Sequence, residues 1–562
     1  MTGSLPLVKH DNRNEDILNR LIKTAAFIMC LLLAGPAQGI DVTLIDESKI
    51  ADDGLYFEGT QGVDYHFGKR ITPHGDCIDV INGYIFVTWY KGPMNVRNLM
   101  LSRRKLGNPS APWKTIQFSH KHQGYRQDTT IGDSHNTAAI EICAKDSTIH
   151  MIFDMHSYSA QEAPDAYFNY LVSYKNKAFV PDAEFNAAIF KPKQLYLKQG
   201  LNYENLTYPA VRRLGDGKLM ARYRIGGNTS GDMLLAFYDG NAWSNNTMFC
   251  KGIVPLPDRH GYYGSEKEYF GRLYAGFAVR WAEAPQYVYN SGWYVIYAEQ
   301  PYGNSDWYTL DGVNVTMPLV DLDIAKEAAP ADEFGTANPS KISSGPEWTV
   351  TESGAMHMLI RVDNRNVHYH RAADANTFTG NVGGNIPGNS GAMFSYGDQV
   401  LVVDLFNGKP VFKVTPEGKN QWTTIYTEAS PRKYRHFNAV AVGDKVYLYL
   451  MEQGSGKAQP LHVLVYDLDF GTPINQRLVK KATKKSSLFT VNKTGFSLKV
   501  LEEDVYMVSF YSVKGQLKHI HSRALASGLH HFTYGKKMLA SGMYLVEIRN
   551  SRHAVIEKVA IK

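Results

Sequence analysis

The chain has 562 residues, 44% hydrophobic and 20% charged, enough apolar surface for a large core in one or two domains. Its formal charge of +6 and pI near 8.7 favour an anionic partner, but Lys and Arg are scattered apart from the short run Lys480 to Lys485, which argues against nucleic acid. Forty-eight glycines and 35 tyrosines favour β-structure with many tight turns over a helical fold.

In chain order, the first recognisable element is a targeting signal. Basic residues precede an apolar stretch from Ala25 to Ala34, and small residues follow near Ala37 and Gly39. Residues 1–39 therefore read as a secretory signal peptide, too short for a membrane span, and the expected product is exported. Cys30 lies in that segment, leaving Cys77, Cys143 and Cys250, an odd number that forms no disulfide framework. Cys77 and Cys143 sit inside apolar strand patterns, as small buried hydrophobes do.

From about Ile71 one unit recurs: a strand, a short polar turn and a second apolar strand. Copies turn at Asn82-Gly83, at Lys145 to Ser147 and at Gly215 to Gly217. A fourth spans Leu273 to Pro301, and three more occupy Pro346 to Asn364, Ser390 to Gly408 and His436 to Gly454. Seven hairpins without intervening helices predict an all-β chain whose residues 40–482 form a seven-bladed β-propeller. Radial closure also removes the exposed edges that an open sheet of this size would carry.

Between the third and fourth hairpins, "CKGIVPLPDRHGYYG" reads as a Gly/Pro-rich loop. Its Cys250 and His260 are candidate ligands of a structural zinc ion, without a visible set of four. Residues 483–562 alternate as strands of a separate small β-sandwich, which includes Gly542 to Tyr544 and ends in a Lys-bearing strand. This segment resembles the C-terminal sorting domain of the type IX secretion system, which implies that secretion machinery as a partner and export across an outer membrane. A carbohydrate-binding β-module is the rival reading.

Antiparallel pairing puts the start of each inner strand and the end of the next strand on the same face of a propeller. The starts are His74, His135, Tyr208, Tyr274, Pro346, Ser390 and His436; the ends include Tyr90, His156 and Arg224. His, Tyr and Arg thus gather near the axis, a convergent polar site of the kind that does chemistry. No Gly-x-Ser-x-Gly elbow, obvious carboxylate pair or Asp-box repeat is present, which argues against serine hydrolysis, standard glycoside hydrolysis and a sialidase. The inventory suits β-elimination on a uronic acid. Arg would neutralise the sugar carboxylate, a His or Tyr would take the C5 proton, and another would protonate the leaving oxygen.

At "GDSHNTAAIEI…TIHMIFDMH" and "TYPAVRRLGDGKLMARYRIGGNTSGD" the chain resembles the BNR-4-type propellers, and within them the ulvan lyases of polysaccharide lyase families 24 and 25. The resemblance covers roughly residues 50–470 and implies His135 and Tyr208 as catalytic residues. It further implies His156 in the active site, Arg224 as the carboxylate-binding residue, and Asn136 of the same motif as a substrate contact. Arg280, Tyr274 and Arg222 are candidates for sulfate or carboxylate contacts. The implied substrate is ulvan, an anionic sulfated polysaccharide cut between sulfated rhamnose and glucuronic or iduronic acid. No catalytic metal is implied, although some members carry a structural zinc or calcium ion. An α-L-rhamnosidase acting on rhamnosyl-glucuronate and a non-catalytic glycan-binding propeller are the alternatives. The sequence leaves open which of His135 and Tyr208 is base and which is acid.

Overall fold

The computed structural model describes residues 40–57, 71–227, 230–252, 258–284, 287–299, 306–328, 342–362, 365–388, 391–397 and 399–470, then mainly strands between 489 and 561. The expected signal peptide lies outside the described residues. Seven antiparallel sheets follow one another in the first unit. Blade 1 comprises Ile78–Ile81, Tyr84–Tyr90, Asn98–Lys105 and Lys114–Lys121, and blade 2 comprises Ala138–Ile142, Ile149–Phe153 and Tyr170–Val172. Blade 3 runs from Leu206–Arg213 through Leu219–Ile225 and Asp232–Tyr238 to Thr247–Cys250. Blade 4 is larger, built on Asp258–Tyr269, Arg272–Ala284 and Tyr287–Ala298. Blades 5, 6 and 7 begin with Ile342–Val350, Ala392–Tyr396 and Tyr434–Val442. The only helical turns among the described residues are Ala187–Ile189 and Leu322–Ala325.

The sequence accounts for the strands in two ways. Middle strands are covered by neighbouring blades on both faces, so Tyr84–Tyr90 is a nearly unbroken buried run. Outer strands meet water on one face, and Lys114–Lys121 alternates with Ile116 and Phe118 turned inward. The first hairpin turns at Asn82 and Gly83, both at positive φ (50° and 74°), the geometry that a two-residue turn between twisted strands requires.

The ring closes through the N-terminal strand Asp41–Leu55, which pairs with Ala458–Asp469 and completes blade 7. Arg104 of blade 1 clasps it. This fully buried guanidinium donates to Asp46 Oδ2 at 2.8 Å and Ser48 Oγ at 2.9 Å, and to the carbonyls of Asn108, Pro109 and Ala111. Arg104→Ala leaves a largely buried Asp46 carboxylate unpaired, and should lower propeller stability by about 3 kcal/mol. Thermal unfolding of the two proteins checks this; an unchanged midpoint contradicts the clasp.

One hairpin was expected a strand out of register. Leu273 to Pro301 does pair, but as the second and third strands of blade 4. The innermost strand is Asp258–Tyr269, which begins within the stretch read as a loop. Its pattern is hidden because it carries charge at the blade interfaces. Glu266 meets Arg222 of blade 3 at 3.2 Å, and Lys267 meets Glu347 of blade 5 at 2.8 Å. A register shift between Gly261 and Gly264 breaks the alternation further.

The second unit begins at about Asp469, somewhat before the expected boundary, of which 471–488 lie outside the described residues. It contains a three-stranded sheet (Phe489–Val491, Gly495–Val500, Gly528–Thr533) and a four-stranded sheet built around Asp504–Ser512 and Gly542–Arg549. Phe496 of one sheet meets Phe510 of the other at 5.5 Å between ring centroids, a packing compatible with a sandwich.

Candidate functional site

The site forms where blades 2 and 3 are stitched together. Residues 156–158 run antiparallel to 205–207: His156 bridges Thr207, Ser157 N donates to Leu206 O at 2.9 Å, and Asn205 N donates to Tyr158 O at 2.8 Å. This short ladder sets the end of one blade's second strand beside the start of the next blade's first. His135 and His156 stack face to face, with centroids 3.9 Å apart and planes 11° apart, and Tyr208 lies 5.3 Å from His135. The expected trio therefore does converge.

Asp133, which had no expected role, lies beneath the two imidazoles. Its Oδ1 accepts from His135 Nδ1 at 2.6 Å and its Oδ2 from His156 Nδ1 at 2.5 Å. The carboxylate is fully buried. The signal was available in the sequence, as an Asp two residues before a His in a turn opening an apolar strand.

Tyr208 holds a left-handed backbone, φ 56°, next to Pro209 and opposite a register shift in the partner strand between Arg222 and Arg224. For a bulky residue this costs about 1–3 kcal/mol, and such strain gathers at functional sites. Arg222 secures it by donating to the Tyr208 carbonyl at 3.2 Å, while its other nitrogens donate to Glu266 and the Gly264 carbonyl. Arg222 therefore braces the Tyr208 backbone.

The Tyr208 hydroxyl donates to Tyr262 at 3.3 Å. Burial, followed by the neighbouring Tyr263 and Tyr262, pushes its pKa well above the ordinary phenol range. Burial also lowers His135 below the ordinary 6.5, against the opposing pull of Asp133. At neutral pH the site thus offers a neutral imidazole beside a protonated phenol.

The two candidate arginines differ. Arg224 is buried, and its guanidinium donates to the carbonyls of Gly226 at 3.0 Å, Gly227 at 2.5 Å and Ser230 at 2.9 Å. It ties down its own loop and also lies 4.4 Å over the Tyr262 ring, on the same wall as Arg280. Arg280 is half-buried, lies 3.3 Å over the Tyr262 ring, and is held by Nε donating to Asn290 at 3.1 Å. Its charge acts on both His135 and Tyr208. Tyr262 and Tyr263 complete this wall, and they were missed because their strand was read as a loop.

The remaining expectations separate. Asn136 is buried and donates to the Gly124 carbonyl at 2.9 Å, bracing the wall. Tyr274 lies beside the Phe270-Gly271 turn, at the other end of blade 4, packed on Tyr269 and Tyr297. It leaves the site because the fourth hairpin is one strand further out than expected. Cys250 is a core residue beside Met233, Phe249 and Leu319, its thiol pushed up to about 12 by burial, and burial lowers His260 to about 2. Among the described residues no further His, Cys, Asp or Glu gathers with them. Two deeply buried donors do not make the four-ligand set a structural zinc needs.

Residues 84–382 match the BNR repeat-containing family. The chain is 32% identical over 480 residues to an ulvan lyase short isoform from Alteromonas sp. (strain LOR), covering 76% of this chain and 90% of the relative. It is 32% identical over 499 residues to an ulvan lyase long isoform from the same strain, covering 80% of this chain but 49% of the relative. The chain thus spans about half the length of the long isoforms it matches. The crystal structure of polysaccharide lyase Uly1 superposes with a TM-score of 0.68 at 26% identity, covering 76% of this chain and 100% of that one.

Proposed function

This chain belongs to the BNR repeat-containing family, and from that premise we propose that it is a polysaccharide lyase cleaving ulvan by β-elimination at the 4-linked uronic acid. The observation that carries this reading is the His135 ring 5.3 Å from the Tyr208 ring, with the Arg280 guanidinium stacked on the neighbouring Tyr262. Arg280 pairs with the uronate carboxylate and so acidifies the C5 proton. His135 Nε2 takes that proton, the C4–C5 double bond forms and the C4–O bond breaks. Tyr208 gives its proton to the departing oxygen, which leaves on the rhamnose as a new reducing end. The imidazolium and phenolate then return to their starting forms by proton exchange with solvent.

Hydrolysis by a glycosidase route would need two available carboxyl groups. Asp133, the carboxylate of this cluster, has both oxygens bound by imidazoles. The same reading carries export, with the N-terminal signal and the C-terminal sorting domain directing the enzyme to a polymer outside the cell.

Ultraviolet absorbance of the conjugated unsaturated uronate, followed on ulvan, tests the activity; a protein active on ulvan without that chromophore would contradict it. The protonation states also fix the pH profile. His135 must be neutral to act, so kcat/KM should hold its plateau to below pH 6.5 and fall only at lower pH. Tyr208 must stay protonated, and it does so beyond pH 10, so it imposes no alkaline loss below that. An acid limb centred above pH 6.5 contradicts this assignment of roles.

A further inference from the structure

We infer that Asp133 is the positioning residue of this site, a single carboxylate that fixes the tautomer and orientation of two stacked imidazoles at once. The inference rests on the lyase reading for its kinetic consequences, and on geometry alone for its structural ones. Asp133 precedes the inner strand of blade 2, and three N–H groups converge on its side chain. They are the His135 backbone N–H at 3.0 Å, His135 Nδ1 at 2.6 Å and His156 Nδ1 at 2.5 Å. No Arg or Lys pairs with it among the described residues, and the two imidazoles hold it below the usual carboxylate range against the cost of burial.

An ionised carboxylate only accepts. Both imidazoles must therefore present Nδ1–H to Asp133, which puts the lone pair of each ring on Nε2, away from the carboxylate. With the rings 3.9 Å apart, one negative charge supports one imidazolium and not two. When His135 takes the C5 proton, the positive charge forms against Asp133. The carboxylate is thus preorganised for the charge that the reaction creates.

The other groups around this unit do not replace it. His122 of blade 1 faces the Asp133 carbonyl at 3.2 Å and is kept from charging by burial. Asp154 lies beyond it, bound by His120 and the Gln123 backbone, and Tyr158 lies alongside. Tyr125 flanks His156, while Arg280 and Tyr208 stand toward His135.

Asp133→Asn tests the inference. An amide offers one oxygen to accept and one nitrogen that donates, so only one imidazole can keep its Nδ1–H bond, and the charge is gone. The expected result on ulvan is a fall in kcat of between about 10-fold and 10⁴-fold, the upper figure being the loss when Asn replaces the carboxylate behind a catalytic His, with little change in KM. Because Asp133 raises the His135 pKa, its removal should also move the acid limb of kcat/KM to lower pH. Asp133→Glu should recover part of the rate. A rate within threefold of wild type, or a fall with an unmoved acid limb, would overturn the inference.

A second readout needs neither the variant nor activity. In wild-type protein labelled with ¹⁵N-histidine, His135 and His156 should both show protonated Nδ1 and unprotonated Nε2. Either ring with its proton on Nε2 overturns the clamp, even if the enzyme cleaves ulvan. Failure of wild-type cleavage with the tautomers as expected would instead overturn the lyase reading.

Discussion

Replacing His135 with alanine should lower kcat/KM on ulvan by about three to four orders of magnitude, the upper range for loss of a positioned general base. The expectation follows from the local chemistry. His135 is buried, lowered below its ordinary pKa, and aimed by Asp133, so no solvent base can stand in for it at the same geometry. His156, stacked at 3.9 Å on the same carboxylate, is the nearest substitute, and for that reason some residual activity should survive. Folding should be retained, because removal of the ring leaves the 156–158 to 205–207 ladder intact. A variant cleaving within tenfold of wild type, with an unchanged pH profile, would remove His135 from the mechanism.

The second large effect separates the two arginines. Arg280→Ala should cost about two to three orders of magnitude in kcat/KM, the usual size of a lost electrostatic contact to developing charge, at unchanged thermal stability. Arg280→Lys should restore only part of it, since an ammonium lacks the planar fork that matches a carboxylate. Arg224→Ala should do the opposite and lower stability. Three backbone carbonyls, of Gly226, Gly227 and Ser230, lose a part-buried donor that ties their loop to the blade. If Arg224→Ala abolishes cleavage in a fully stable protein while Arg280→Ala is near wild type, the carboxylate belongs to Arg224.

Much of the fold was legible because blade hairpins carry local signals. Asn82-Gly83 is a turn in any context, and middle strands such as Tyr84–Tyr90 and Lys445–Glu452 are apolar runs because both faces are covered. The closing strand Asp41–Leu55 was not legible, since it alternates exposed and half-buried residues and its partner lies some 400 residues away, a pairing no local pattern encodes. Nor was Asp258–Tyr269, whose Glu266 and Lys267 look like loop residues until Arg222 and Glu347 are found opposite them.

The site divides along the same line. His135, His156 and Tyr208 were found because hairpin geometry returns strand starts and ends to one face. The resemblance put Arg224 ahead of Arg280 for the carboxylate, whereas both guanidinium groups lie over the Tyr262 ring, at 4.4 Å and 3.3 Å, a ring brought in by another segment. Cys250 and His260 suggested a metal by spacing, and Cys250 lies buried beside Met233 and Gly261. Asp133 was in view throughout, but its role depends on His156, which lies twenty-three residues on.

The most direct test of the central claim is mass spectrometry of ulvan oligosaccharides digested in water enriched in heavy oxygen. Elimination adds no water across the broken bond, so the new ends should carry no label and one fragment should bear an unsaturated uronate. Products carrying heavy oxygen at the cleaved bond, with no unsaturated end, would make this propeller a hydrolase and contradict the account.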